Sequence, residues 1–407
     1  MGFWSRSRKA GAVYVVLGLF AFAFFGLVKP ATNDVVLKFT EGTSLTFAPR
    51  AVVIVLGLLA VAAGVALLAG KEWFPTATAV ALLGFVGAFM LWAVSLAKVG
   101  HTIYAVDLVN GTLIAALPLI FGSLGGVLCE RSGVVNINIE GQLLVGAFGG
   151  ALIGTMTHNV WAGVIAAAGF GALMAALLAV FAIKYLVDQV VLGVILNVLA
   201  LGITGVIYER LMQPEAVTYN QPPKLESWNI PLLADIPFLG PALFRNNIFV
   251  YLALILVAVV TFGLFRTRWG LRTRAVGEHP TAADTVGIKV RAVRYRNVIL
   301  GGLVAGLGGA ALTLGSGLAF NKNMTAGKGF IALAALIFGR WSPTGALGAA
   351  LLFGFADKLQ IVLSSTQSPI PADFLRMAPY IATLLAVAGL VGKVRAPAAD
   401  GKPYVKG

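Results

Sequence analysis

Residues 266–296 read RTRWGLRTRAVGEHPTAADTVGIKVRAVRYR, eight arginines and lysines against two acids, set between two long apolar runs. Apolar runs of that length belong in a bilayer, and the bias of Lys and Arg towards the inner side makes this stretch cytoplasmic. Its middle carries a helix signal. Pro280 suits the first helical position and Gly287 a left-handed stop, with Thr281 to Val286 between them. Two turns are not stable alone in water, which implies support from a partner. An ordered basic insertion of this kind is a natural place for a second protein to push on the membrane part. The plainer reading, a solvated basic loop, does not account for the capped apolar helix.

Working outward, the composition sets the class. With 59% hydrophobic and 11% charged residues over 407 positions and a mean hydropathy of +0.91, the chain carries more apolar surface than a soluble domain can cover. The expected fold is all-α, a polytopic helical membrane protein. The net charge of +14 does not point to nucleic acid, because the basic residues flank apolar spans instead of lining one face. The single cysteine, Cys129, excludes an intramolecular disulfide or a cysteine-built metal site, and the histidines at 101, 158 and 279 are scattered. No metal site and no catalytic set is expected: Cys129 has no neighbouring histidine, and H-E-x-x-H does not occur.

Apolar spans fall near 11–28, 50–70, 75–97, 108–128, 137–156, 160–182, 189–208, 248–265, 297–317, 328–340, 344–363 and 374–392. Twelve crossings place both termini on one side. Arg6, Arg8 and Lys9 before the first span, and Lys393, Arg395, Lys402 and Lys406 after the last, make that side cytoplasmic. The same count puts 266–296 inside and Glu209 to Asn247 outside. The run 328–340 is short, so it is tilted, broken or re-entrant. Residues 1–28 are read as a retained signal anchor, since no small-x-small cleavage site follows the apolar stretch. The first three spans are plain Ala, Val and Leu, an appendage. From Leu108 onward, polar and glycine-rich words are embedded in apolar sequence.

The first such word, 122–154, holds Glu130, Arg131, Asn136, Asn138, Glu140 and Gln142. Such side chains are costly at membrane depth unless paired or lining a wet cavity. Two readings stand: an inner loop whose Asn136 to Gln142 cap the next helix, or a broken element beside a translocation path. The second word, 320–360, repeats the style with Lys328 and Gly329 before a short run that Arg340, Trp341 and Pro343 interrupt. Interrupted segments in two halves point to a pathway between them.

Three words, ERSGVVNINIEGQLLVGAF (130–148), RAVGEHPTAADTVGI (274–288) and MTAGKGFIALAALIFGRWSPTGALGAALLFGFAD (324–357), carry a resemblance. In order and spacing they resemble the inner-membrane permease subunits of bacterial ABC importers in the branched-chain amino acid and ribose permease superfamily, most of all the nucleoside and simple-sugar branch. The likeness covers roughly 105–395 and leaves 1–104 as an N-terminal transmembrane extension and 396–407 as a cytoplasmic tail. It implies a bacterial plasma-membrane importer for a nucleoside or simple sugar. The implied partners are a related second permease in a heterodimer, a cytoplasmic ABC ATPase and an extracytoplasmic, lipoprotein-type solute-binding protein. Glu278 to Ile288 would then be the coupling helix, with Pro280 and Gly287 fixing its length and Ala282 and Ala283 seated in a groove of the ATPase. Glu130, Asn136, Asn138, Glu140, Gln142 and Lys328 are the candidate path. ATP would be used by the partner, for no G-x-x-x-x-G-K-[ST] loop occurs here: the Gly-Lys pairs at 70, 327, 392 and 401 continue with Glu, Gly, Val and Pro. An ion-coupled secondary transporter is the alternative, since it too would bury ionisable residues in interrupted spans.

Overall fold

In lipid, backbone N–H and C=O groups must find partners within the protein, so apolar runs of this length become helices. The computed structural model describes residues 6–371 except 41, 72 and 369, together with 374, 377 and 395–406. Among the described residues there are ten apolar helices of 19 to 26 residues and one shorter apolar helix, Lys328–Phe338. The protein is a polytopic helical membrane protein. The span expected over 374–392 lies almost wholly outside the described residues.

The chain forms two compact units, one of Met1–Gly111 with Asp235–Ala242 and the described part of Ala356–Gly392, the other of Thr112–Ala234, Leu243–Phe355 and the C-terminal residues. The first unit thus takes in a stretch that the sequence reading assigns to the core. It is built on α1 (Arg6–Phe20), α2 (Pro49–Leu68) and α3 (Phe74–Ser95). Gly18 of α1 lies so close to α2 that a Cβ there would sit 2.6 Å from the Val61 nitrogen, the small-residue contact by which membrane helices approach without a hydrophobic driving force. Beyond the last turn of α1, the Phe25 ring stacks on Trp92 at 4.6 Å, and the Trp92 indole N–H donates to the Lys29 carbonyl at 2.7 Å. Strands are an addition to the all-helical expectation. β1 (Val35–Thr40) and β2 (Thr43–Phe47) pair antiparallel, and β3 (Thr102–Tyr104) joins β1 in parallel. Val35, Val36, Thr40 and Thr43 favour extended backbone.

Helix α4 (Ala105–Glu130) leads into the second unit. There α5 (Ile139–Thr157), α6 (Val160–Ala179) and α7 (Gln189–Ile207) are followed by the short α8 (Ala216–Tyr219), the β4 (Ser227–Asn229) and β5 (Arg245–Asn247) pair, and α9 (Ile248–Arg266). The basic stretch 266–296, read from sequence as a loop around one short helix, is mostly helical. It holds α10 (Arg268–Glu278), α11 (Pro280–Thr285) and the start of α12 (Val290–Ala310). Arginine is a good helix former, so the basic flanks continue the helices beyond their apolar parts. Helices α5, α6 and α12 form the heart of the unit, with Gly171 of α6 against the backbone of Gly302 and Gly306 of α12.

The last elements are α13 (Lys328–Phe338) and α14 (Pro343–Ser365). The eleven residues of α13 rise about 16 Å at 1.5 Å each, half of what a crossing of about 30 Å needs. Helix α13 runs alongside α4 in the same direction, with Ala332 beside Gly122 and Leu336 beside Gly126. The irregular residues 316–327 precede it. Of the tilted, broken and re-entrant readings, broken is the one the geometry supports.

Candidate functional site

The chain breaks twice in the second unit, and each break leaves backbone groups that need partners. The first follows α4, where Gly133 takes φ +84° and the chain turns back. By Ile139 it lies beside Gly122 and Gly126 of α4 again. The non-helical residues between are satisfied by side chains. The Val135 N–H donates to Gln189 Oε1 at 2.7 Å. Asn197 Nδ2 donates to the Ile137 carbonyl at 2.9 Å, and its Oδ1 accepts the Gly141 N–H at 2.7 Å. The Asn136 N–H donates to Glu130 Oε1 at 3.5 Å. Asn136 and Gln142 face each other as an amide pair, at 3.0 and 3.4 Å.

These bonds correct the capping half of the inner-loop reading. Asn138 occupies the position before α5 but makes no capping bond, and it is fully buried with neither amide atom partnered. Glu130 is only 3% exposed and accepts the Trp341 indole N–H. Arg131 Nε donates to the Trp341 carbonyl at 2.8 Å. The turn after α13 is therefore fastened to the turn after α4.

The second break meets the first at Glu140, in the first turn of α5. Its Oε1 accepts the Thr325 hydroxyl at 2.6 Å and the Gly327 N–H at 2.9 Å, and its Oε2 accepts the Gly329 N–H at 2.6 Å. Gly327 is the residue before α13, so the carboxylate sits on that helix's N-terminus, where orphan N–H groups and the dipole favour an anion. Lys328, the first residue of α13, is half-buried. On the far side of the same irregular segment, the Phe320 N–H donates to Asn220 Oδ1 at 2.8 Å, and Asn220 Nδ2 donates to the Phe320 carbonyl at 2.9 Å.

Glu130, Asn136, Gln142 and Glu140 thus lie on one polar seam that ties two interrupted spans together. Sequence reasoning missed Gln189, Asn197 and Asn220, which satisfy the unwound backbone. The available signal was a pair of isolated amides, Gln189 and Asn197, in an otherwise apolar run.

The short helix begins with Pro280 at its first position, where the missing N–H costs nothing. It ends in a Schellman turn: the Gly287 N–H donates to the Asp284 carbonyl at 2.9 Å, the Ile288 N–H to the Ala283 carbonyl at 3.0 Å, and Gly287 has φ +84°. Glu278 and Ala282 are exposed and Ile288 is half-buried. Ala283 corrects the expectation that both alanines face a partner. It is buried among Val276, Val290, Val293 and Tyr404 of its own chain. Consecutive helical residues point about 100° apart; Ala283 turns into the chain and Ala282 faces outward. The outward face also presents Val286, 74% exposed.

Residues 108–389 match the family model described as the permease component of the branched-chain amino acid transport system. The chain belongs to that permease family. It is similar to the guanosine ABC transporter permease protein NupQ of Bacillus subtilis, 45% identical over 74% of this chain and 97% of the relative. It is also similar to the nucleoside ABC transporter permease protein NupC of Lactococcus lactis, at 39% over 74% and 96%. The putative glucose ABC transporter permease protein TsgC13 of Haloferax volcanii is 38% identical over 63% of this chain and 78% of its own. No solved structure matches the chain. In this permease both breaks, the polar seam and the capped basic segment fall inside the matched region, and residues before 108 fall outside it.

Proposed function

We propose that this permease is the membrane subunit of an ABC importer that carries nucleosides into the cell, with simple sugars as the second substrate class. The observation that carries the coupling part is α11: two turns, closed at both ends by Pro280 and the Gly287 turn, with Ala282 and Val286 facing out. A helix so short is stable only when braced, and an exposed valine at its end suits a groove on another protein. A cytoplasmic ABC ATPase is that protein, and it consumes the ATP. ATPase closure moves α11, and the movement switches the pathway between outward and inward access.

The substrate class is supported by the names of the relatives, which speak of guanosine, nucleosides and glucose. The family resemblance supports a related second permease beside this one and a lipoprotein-type binding protein outside. Orientation is supported by Arg131, Glu278 and the C-terminal residues gathering at one end of the second unit, where Ala398 N–H meets Glu278 Oε2 at 3.2 Å. That end is cytoplasmic by its charge, with both termini on the same side.

The test is uptake of labelled guanosine and glucose into vesicles holding this chain, its second permease, the ATPase and the binding protein. Uptake should require ATP and favour the nucleoside. Uptake driven by an ion gradient without the ATPase would transfer the chain to secondary transport.

A further inference from the structure

Residues 397–404, within the stretch read from sequence as a cytoplasmic tail, are built into the segment that holds α11. Here the Ala399 N–H donates to the Gly277 carbonyl at 2.9 Å, and Arg294 Nη1 donates to the Lys402 carbonyl at 3.0 Å. Tyr404 is 6% exposed and belongs to one buried cluster with Ala283 of α11, Val276, Val290 and Val293. At its other end the segment reaches the first break of the membrane part. The Ala399 carbonyl lies over Gly133, and Gly401 lies against Val135. One short segment therefore reaches both the buried cluster under α11 and the turn at 133–135.

We propose that Pro397–Tyr404 is a strap that positions the coupling helix, with Tyr404 holding α11 and Ala399 and Gly401 holding the turn at Gly133 to Val135, so that displacement of α11 reaches the interrupted span. The strap takes no part in binding nucleotide or solute. It rests on the importer reading given above. A tail that merely covered surface would have no need to span from Ala283 to Val135. A strap needs contact at both ends.

The test uses the complete complex in vesicles, with wild type, Tyr404→Phe and Tyr404→Ala compared for ATPase co-purification, stimulated hydrolysis and solute taken up per ATP. Tyr404→Ala should keep the ATPase bound and hydrolysing while uptake per ATP falls about tenfold. Tyr404→Phe, which keeps the ring, should recover most of it. Trypsin cleavage after Lys289 and Arg291 in the purified chain gives a second readout independent of transport, and should accelerate only in Tyr404→Ala. Unchanged uptake per ATP in Tyr404→Ala, or unchanged cleavage, overturns the strap. So does loss of the ATPase from the Tyr404→Ala complex, which would make the tail a docking surface. ATP-independent uptake by wild type would instead sink the importer reading before any variant is compared.

Discussion

Around Glu140 both carboxylate oxygens are taken up inside the chain, by Thr325, Gly327 and Gly329. At the end of α11 the same chain leaves Val286 74% exposed. The first region is closed on itself; the second buries Ala283 but leaves an apolar side chain exposed. A sequence able to satisfy a buried charge with three donors is not one that leaves valine in water through poor folding. The exposed end of α11 is what the proposed ATPase contact would cover, and closure at the seam makes it a joint between two broken spans.

The sharpest way to break that comparison is Glu140→Leu. It strands a hydroxyl and two N–H groups at the start of α13, each at about 1–3 kcal/mol, against a total stability of about 5–15 kcal/mol. The folded chain should be largely lost from the membrane, and Glu140→Gln, which keeps an acceptor oxygen, should be intermediate. Yield of monodisperse protein and its melting temperature measure this. A Glu140→Leu protein that melts with wild type would mean the seam is not a joint.

Gly287→Val should act more gently, and elsewhere. A β-branched residue at φ +84° costs about 1–2 kcal/mol, enough to shift a marginal two-turn helix about tenfold towards its unformed state. Melting of the membrane part should be unchanged while uptake and solute-stimulated hydrolysis fall together. Near-normal transport would remove α11 from the mechanism.

The smallest effect is a pH dependence at the tail. Burial first, and then the Glu130 carboxyl, push the Asp400 pKa up to about 8, whereas a free aspartate titrates near pH 4. The docked tail holds a proton that the free tail releases, so docking is fully favoured below about pH 4 and weakens as pH rises through about 8. Arg294, on the other side of Asp400, opposes this in part. Chymotrypsin should cut after the buried Tyr404 faster at pH 9 than at pH 6, and Asp400→Asn should flatten that difference.

Much of this was legible in the chain. Spans follow from run length, and the ends of α11 from Pro280 and Gly287, because both are local properties. What was not legible depends on partners far apart in sequence. Asn197 serves Ile137 from 60 residues away and Trp341 serves Glu130 from 211, and no periodicity encodes such pairings. The facing of Ala283 was unreadable for a related reason: the valines and the tyrosine that cover it come from three other segments. The half-helix α13 was visible as a short run, but only Glu140 on its N-terminus shows why it starts at Lys328.

The separation of 185 residues between Glu140 and Thr325 also sets a clock. At translation speeds of about 5–20 residues per second, the partners of Glu140 emerge about 10–40 seconds after it does. Through that interval the carboxylate enters the membrane with none of its final donors made. The insertion machinery must therefore shelter an incomplete polar site, and the half-helix α13, among the last segments to arrive, is the step that lets it go.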